Sequence, residues 1–168
     1  QIVEGIKLGS FQSWNYLGRY IRHRSSLGYL DKVTADDSLA RKDATFRIVP
    51  GLVGGCNSLE SVNYPGHFVR HENYRIKLAR QIDDQLFKSD ATFCFRPGLA
   101  RSAERSLESF NRPGHYIRHS NFELWIAQPD GGSSFWEDAK FTVQDPLTEN
   151  APYTKIDDGP RLVPAYPE

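Results

Sequence analysis

The chain has 168 residues, and its 21 Lys and Arg residues balance 21 Asp and Glu residues, so the formal net charge at pH 7 is zero. This length favours one compact domain. Without a positive field, nucleic acid is a poor candidate partner, and no apolar run approaches the roughly 20 residues that would cross a membrane. Ten Phe, eight Tyr and three Trp residues supply apolar mass for a core, which excludes disorder for most of the chain.

Two cysteines occur, Cys56 and Cys94. They are too few for a disulfide scaffold, and their spacing does not match a metal site. A single disulfide and two independent buried thiols both remain open. The chain begins at Gln1 and contains no Met, which suggests a processed protein or a segment of a longer one.

A threefold internal repeat organises the chain. The segments SFQSWNYLGRYIRH, SLESVNYPGHFVRH and SLESFNRPGHYIRH begin 48 residues apart, at Ser10, Ser58 and Ser106. Second blocks follow, DATFRIVPGL, DATFCFRPGL and DAKFTVQDPL, which begin at Asp43, Asp90 and Asp138. The repeat therefore has two parts in each copy, and there are three copies.

The repeat also sets the expected domain organisation. The copies occupy about residues 6–53, 54–101 and 102–147. We expect them to form a single domain over residues 1–147. Residues 148–168 are rich in proline and are expected to form a C-terminal tail or a linker.

Each copy has the pattern of short β-strands. Leu-Gly or Pro-Gly pairs end at Gly18, Gly66 and Gly114 and favour turns, because Pro presets φ and Gly accepts positive φ. Runs such as residues 74–78 and 122–126 alternate in character and contain β-branched or aromatic residues. No stretch keeps a helical period over three turns. The sequence predicts an all-β chain with about four strands per copy.

Three equally complete copies predict closure around a threefold axis. An open array would leave two unpaired sheet edges and would need capping repeats. A sandwich has no threefold repeat, and a propeller needs at least four blades. We therefore expect a β-trefoil.

Several recurring positions are expected to be structural. The apolar ones predict the core: Phe46, Phe93 and Phe141, with Leu52, Leu99 and Leu147 six residues later. The Asn that precedes each turn is expected to bond the turn backbone, with ligand contact as the alternative: Asn15, Asn63 and Asn111.

A recurring polar pair is the candidate site. Each copy carries one imidazole at the end of its Arg-His strand and one carboxylate at the start of its second block. The pairs are His23 with Asp43, His71 with Asp90, and His119 with Asp138. A purely structural role remains possible, because a structural pair would recur as faithfully as a binding pair.

The motif S-x-x-S-x-N-Y-P-G-x-[YF]-[IV]-R-H, followed about 20 residues later by D-A-T-F, resembles that of the arabinose-binding β-trefoil. This is the family 42 carbohydrate-binding module of α-L-arabinofuranosidases, and the resemblance covers about residues 6–147. It implies a non-catalytic module whose pockets hold arabinofuranose side chains of arabinoxylan or arabinan with the His and Asp. It also implies an attached glycoside hydrolase, secretion, a monomer and no cofactor.

The chemistry of the pair agrees with that resemblance. An ionised carboxylate accepts at about four lone-pair sites, so one Asp could accept from two adjacent sugar hydroxyls, while imidazole adds a donor or an acceptor. An aromatic wall would then cover the C–H face of the sugar. The nearest aromatic candidates are Tyr29, Tyr74, Phe122 and Trp125, and Asn63 and Asn111 are possible further contacts.

The first copy departs from the other two. Arg19 follows its turn glycine, where the other copies have His67 and His115, and one extra residue precedes Asp43. We expect the second and third pockets to bind, and the first to be weaker or idle.

Three alternatives compete with sugar binding. A zinc site at His67 and His71, or at the equivalent pair His115 and His119, would need a helix, because four residues of strand span about 13 Å. A glycosidase needs two carboxylates about 5 to 9.5 Å apart. The main alternative is a structural or protein-binding trefoil, since a fold does not fix a function.

The acidic doublets are the other place where a glycosidase could find its carboxylates. Asp36 with Asp37, and Asp83 with Asp84, are adjacent in the chain. Adjacent side chains usually point apart. We expect both doublets on solvated loops.

Overall fold

The computed structural model describes residues 3–4, 7–97, 104–148 and 162–163. Its strands are β1 (Val3–Glu4), β2 (Lys7–Ser13), β3 (Arg19–Arg24), β4 (Leu27–Lys32), β5 (Phe46–Pro50), β6 (Asn57–Ser61), β7 (His67–Glu72), β8 (Arg75–Arg80), β9 (Phe93–Pro97), β10 (Glu104–Ser109), β11 (Tyr116–Ser120), β12 (Glu123–Ala127), β13 (Phe141–Gln144) and β14 (Leu162–Val163). Its helices are α1 (Ser38–Asp43), α2 (Gln85–Asp90) and α3 (Ser133–Asp138). Most of the predicted C-terminal tail lies outside the described residues.

Six strands form a closed antiparallel ring. Strand β2 pairs with β5, β5 with β6, β6 with β9, β9 with β10, β10 with β13, and β13 with β2. The ring leaves none of these six strands with an open edge, which is the reason that three equal copies favour closure. The β-trefoil prediction is confirmed by this ring and the hairpin cap on it.

The cap consists of three hairpins, β3–β4, β7–β8 and β11–β12. Each hairpin pairs with the other two, through β4–β8, β8–β12 and β12–β4. The hairpins meet so closely that a Cβ on Gly28 would lie 2.7 Å from Ile76 Cγ2. Gly28 is therefore required for this packing.

The main core lies between the ring and the cap. The predicted core residues Phe46, Phe93 and Phe141 are 0–1% exposed, which confirms that part of the prediction. Leu52 is half-buried and packs at the edge of a second apolar cluster formed by Val49, Phe68, Phe87 and Ala91. Leu147 is also half-buried, and its assignment to the core is wrong. Both lie past the end of a strand, where the chain leaves the ring. Leu99 lies outside the described residues.

The three short helices are absent from the sequence prediction because one and a half turns are too short to show a helical period. Asp37 and Asp84 begin two of them, where their side chains accept hydrogen bonds from the backbone N–H of Ala40 (3.0 Å) and Phe87 (3.1 Å). These residues of the acidic doublets are thus helix caps. Among the described residues, no helix is long and apolar enough to span a bilayer.

The turns after the first ring strand of each copy are held by Ser and by Glu or Gln. The Ser hydroxyls accept from the backbone N–H three residues onward: Ser13 from Tyr16, Ser61 from Tyr64, and Ser109 from Arg112. The longer side chains accept from the turn glycine: Gln12 from Gly18, Glu60 from Gly66, and Glu108 from Gly114. The prediction that the Asn bonds the turn backbone is wrong. The Ser, Gln and Glu side chains bond the turn, and each Asn amide donates to an Asp carboxylate instead.

Glu60 has a second role that Gln12 lacks, since it pairs with the buried guanidinium of Arg47. We predict that E60A lowers the free energy of unfolding by about 3 kcal/mol, because it removes a buried charge partner. E60Q should lose less, because Gln12 shows that an amide can hold the turn. Urea denaturation measures both.

The matched control is E108Q. Its carboxylate pairs with Arg96, whose side chain is 54% exposed, and exposed pairs contribute little to stability. A loss for E108Q as large as that for E60A would contradict this assignment of the stabilising charge pair.

Cys56 and Cys94 form a disulfide, which decides the alternative that the sequence left open. The bond ties the loop before β6 to β9 across 38 residues of chain. We predict that the double variant C56A/C94A loses about 2–4 kcal/mol of unfolding free energy, because a loop of this length is freed in the unfolded state.

Thermal melting with and without reductant tests the same bond. The melting temperature of the wild type should fall in reductant, and that of the double variant should not change. Equal melting of oxidised and reduced wild type would show that the disulfide adds no stability.

Candidate functional site

The structure brings each predicted His and Asp together. His Nε2 lies 3.6 Å from Asp Oδ1 in the first copy, 3.5 Å in the second and 3.3 Å in the third. Each His lies on the first strand of a cap hairpin, and each Asp is the last residue of a short helix. The helices that the sequence did not predict are therefore the elements that bring the carboxylates to the imidazoles.

An arginine one residue before each His fixes the other carboxylate oxygen. The partners of Asp43, Asp90 and Asp138 Oδ2 are Arg22, Arg70 and Arg118. Each guanidinium also donates from Nε to the carbonyl of the following His, at 2.9–3.2 Å. The arginine is thereby held in one place, and it holds the carboxylate in turn. Sequence reasoning missed this residue, although it recurs in all three copies of the R-H motif.

A third group comes from the next copy along the ring. Asn Nδ2 donates to Asp Oδ1 at 2.8–2.9 Å, with the pairings Asn63 to Asp43, Asn111 to Asp90, and Asn15 to Asp138. The same Asn oxygens lie 2.8–3.1 Å from Nε2 of His23, His71 and His119. Every site is therefore built from two copies, and the third site borrows its Asn from the first copy.

This network assigns the protons of the imidazoles. Because each Asn Nδ2 donates to a carboxylate, its oxygen can only accept, so His Nε2 must carry the hydrogen. Burial lowers the pKa of His23, His71 and His119, and this outweighs the opposing effect of the neighbouring carboxylates on His23 and His119. Each imidazole therefore stays neutral to a lower pH than a free His does, and in this neutral form Nδ1 is an acceptor.

The carboxylates are less free than the sequence suggested. Asp43 and Asp90 are 4–5% exposed, whereas the Asp138 side chain is 22% exposed. Arg and Asn occupy about two of the four lone-pair sites on each carboxylate. The expectation that the carboxylate is open to two hydroxyls therefore needs correction: about half of its accepting capacity holds the protein together.

A cavity of about 230 Å³ opens at the first site. Its lining includes the polar groups of Arg22, His23 and Asp43 and the apolar side chains of Leu39 and Leu78. This volume lies below the roughly 300–1,000 Å³ typical of sites for drug-sized ligands. It suits a single small ring with polar groups on one side.

The second and third sites have an aromatic ring at the hairpin turn. Phe122 stacks near His119, with ring centres 6.5 Å apart, and its edge meets Tyr16 at 5.2 Å. Tyr74 stacks on His115 at 5.8 Å. These two predicted wall residues thus border the loop of the next copy.

Tyr29 and Trp125, the other wall candidates, lie elsewhere. The guanidinium of Arg75 is 5.0 Å from the centre of the Tyr29 ring and 5.3 Å from that of Trp125. Neither ring is placed against a His–Asp pair. The assignment of these two residues to the wall is therefore wrong, because strand alternation turns them to the other side of the hairpins.

The geometry does not match a zinc site at the paired histidines or a glycosidase site at the acidic doublets. His67 and His71 lie on extended strand β7, where only His71 joins a carboxylate. In residues 7–97 and 104–148, no group of three or more His, Cys, Asp or Glu side chains could hold a metal ion. Asp37 and Asp84 cap helices, as described above.

Comparison with known proteins places the chain among domains of arabinofuranosidases. Residues 10–143 match the family described as the alpha-L-arabinofuranosidase B (ABFB) domain. Probable alpha-L-arabinofuranosidase B of Aspergillus clavatus is 37% identical over 83 residues, 48% of this chain and 16% of that protein. Alpha-L-arabinofuranosidase B of Aspergillus niger is 37% identical over 81 residues, 47% of this chain and 16% of the relative.

Solved structures extend the match to most of the fold. A crystal structure of arabinofuranosidase complexed with arabinofuranosyl-alpha-1,2-xylobiose matches with a TM-score of 0.78 and 29% identity, over 85% of this chain and 32% of that one. A designed threefold-symmetric protein, ThreeFoil, matches at 0.61 with 10% identity, over 82% of this chain and 98% of the other, and supports the fold alone. The chain belongs to the ABFB domain family, as a non-catalytic carbohydrate-binding module of the kind associated with arabinofuranosidases.

Proposed function

We propose that this module binds terminal α-L-arabinofuranose side chains of arabinoxylan or arabinan, and that it holds an attached glycoside hydrolase at that polysaccharide. The observation that carries the proposal is one polar set, repeated three times, that opens at the first site on a cavity of single-sugar size. A relative of similar fold has been crystallised with an arabinofuranosyl oligosaccharide, which points to the same class of ligand.

The polar set can recognise vicinal hydroxyls. After Arg and Asn have taken their share, about two lone-pair sites on each carboxylate remain to accept from a sugar. The Arg70 and Arg118 guanidinium groups each use two of their five N–H groups in these contacts. A site that offers a fixed acceptor beside a fixed donor pays little ordering entropy on binding.

The size of each site favours the end of a branch over the middle of a backbone. Few atoms contact a single furanose, so we expect a dissociation constant on the order of 0.1 to 1 mM at one site. Several sites on one rigid body raise the apparent affinity for a densely branched polymer. The disulfide between Cys56 and Cys94 is typical of secreted proteins and supports a place of action outside the cell.

Removal of carboxylates tests the function. We predict that D90A/D138A abolishes retention of the protein in an arabinoxylan affinity gel, because it removes the fixed acceptor at both sites whose hairpin turn carries an aromatic ring. D43A should change retention little, since Ser26 stands in place of that turn ring at the first site. Debranched xylan in a parallel gel should retain none of the proteins.

The exposed Asp83 supplies the matched control, because its side chain is 97% exposed and pairs only with Lys88 among the described residues. D83A removes a charge without touching a site and should be retained like the wild type. Near-UV circular dichroism checks that each variant is folded. Undiminished retention of a folded D90A/D138A variant would place binding elsewhere, and a wild type that passes freely would favour the protein-binding trefoil.

The imidazoles give a second test, because binding uses their neutral form. We predict that His23, His71 and His119 titrate below 6.5, the ordinary value, in side-chain NMR spectra. Since the unfolded chain takes up protons first, stability should be full above pH 6.5 and should fall as the pH drops through the lowered folded-state values. Affinity for the sugar should fall in the same range.

Single His→Gln variants assign each resonance. The remaining resonances should keep their titration midpoints, because the sites are separate. A site imidazole that titrates at or above 6.5 would contradict the assignment of a buried, neutral ring.

A further inference from the structure

The turns at the tips of the cap hairpins differ in one residue that borders each site. They consist of Ser25–Ser26, Asn73–Tyr74 and Asn121–Phe122, and all six residues have positive φ, between 52° and 66°. Two consecutive positive φ values define the type I′ turn that suits a two-residue hairpin. Positive φ is unfavourable for bulky residues. Tyr74 and Phe122 are therefore kept at a conformational cost, which points to a use for their rings.

The two rings close the space between the hairpin tip and the next copy. The Phe122 ring lies 3.8 Å from the Arg19 guanidinium and 5.2 Å from the Tyr16 ring. The Tyr74 ring lies 4.9 Å from the Arg112 guanidinium. Tyr16 and Arg112 occupy the same position in their copies. Each ring thus bridges the turn of one copy and the loop of the next.

The first site lacks this bridge. Ser26 occupies the ring position, and the loop residue opposite is Tyr64, whose ring is 5.2 Å from that of His23. Ser26 and Tyr64 both line the cavity of about 230 Å³. A serine side chain has a single heavy atom beyond Cβ, so it leaves open the direction that a ring closes in the other two copies.

We propose that the first site accepts an arabinofuranose that carries a further sugar, whereas the second and third sites accept only an unsubstituted terminal residue. This rests on the proposed function. The substituent would leave the site through the gap between Ser26 and Tyr64. Leu39 gives that side of the cavity an apolar surface, and Ser25 and Arg24 give it hydroxyl and guanidinium groups.

The same gap explains why the first site should be the weaker one for a terminal residue. A single furanose there loses the ring contact that the other sites supply. A disaccharide or trisaccharide recovers contact area in the gap. The proposed difference in specificity between the first site and the other two therefore comes from one turn residue, because the His, Asp, Arg and Asn of the polar set are the same at all three sites.

The test uses two soluble probes, methyl α-L-arabinofuranoside and α-1,5-linked arabinotriose, with backbone NMR of the wild-type chain. The glycoside should shift the amide signals of residues 73–74 and 121–122 most. The trisaccharide should also shift those of residues 25–26, and it should bind the first site at least about tenfold more tightly than the glycoside does.

The decisive variant is S26Y, which places at the first turn the residue that the second turn already holds at φ 66°. It should weaken trisaccharide binding at the first site by about tenfold or more and strengthen binding of the glycoside there. The wild-type second site should bind the unsubstituted end of either probe about equally. The reverse variant, Y74S, should instead bind the trisaccharide more tightly than the glycoside at the second site, as the first site of the wild type does. The glycoside at the untouched third site is the internal control in both proteins.

The outcomes separate the two proposals. If neither probe shifts any site, the proposed function fails. If the glycoside binds but S26Y leaves trisaccharide binding at the first site unchanged, the proposed function stands and the role of Ser26 is overturned. The same holds if the trisaccharide gives no shift at residues 25–26 of the wild type.

Discussion

The structure depends on one hydrogen bond that crosses between neighbouring copies, from an Asn amide to an Asp carboxylate that is buried in two copies and half-buried in the third. It occurs between Asn63 and Asp43, between Asn111 and Asp90, and between Asn15 and Asp138. The last of these joins the two ends of the repeated region. A buried carboxylate without such partners would be costly, so the three bonds favour the closed ring over any open arrangement.

The same carboxylate therefore serves two purposes. Half of its accepting capacity ties neighbouring copies together through Arg and Asn, and the other half is left for a ligand. This explains why neither a structural nor a binding reading could be preferred from recurrence in the sequence. It also gives the ligand a preorganised acceptor, because the groups that stabilise the fold have already fixed the carboxylate in place.

Much of the fold could be predicted because its signals are periodic. The 48-residue spacing led to closure, and the recurring Phe46, Phe93 and Phe141 led to the core. The short helices could not be predicted, because six residues show no period. The hydrogen bonds from Asn to Asp were missed for a different reason. Because Asn and Asp both recur in every copy, the sequence is the same whether the two residues meet within one copy or between neighbouring copies.

The site shows the same division between what recurs and what varies. Each His–Asp pair is found where the motif placed it, because strand and helix are fixed in every copy. The wall was predicted only in part, because the candidates were chosen by their closeness to the His in sequence. Tyr74 and Phe122 lie in the hairpin turns, whereas Tyr29 and Trp125 lie within strands, where alternation decides the face that each ring occupies.

The threefold repeat leaves the protein free to vary one site at a time. The ring, the cap and the carboxylate bonds are shared by all copies, so they restrict every site equally. The second residue of each hairpin turn bonds a strand of another hairpin through its backbone carbonyl, whereas its side chain borders its own site and the loop of the next copy. An exchange between Ser and an aromatic residue there therefore acts mainly on one site. A symmetric scaffold can therefore carry sites of different specificity, and a polymer with both plain and substituted branches offers each of them a ligand.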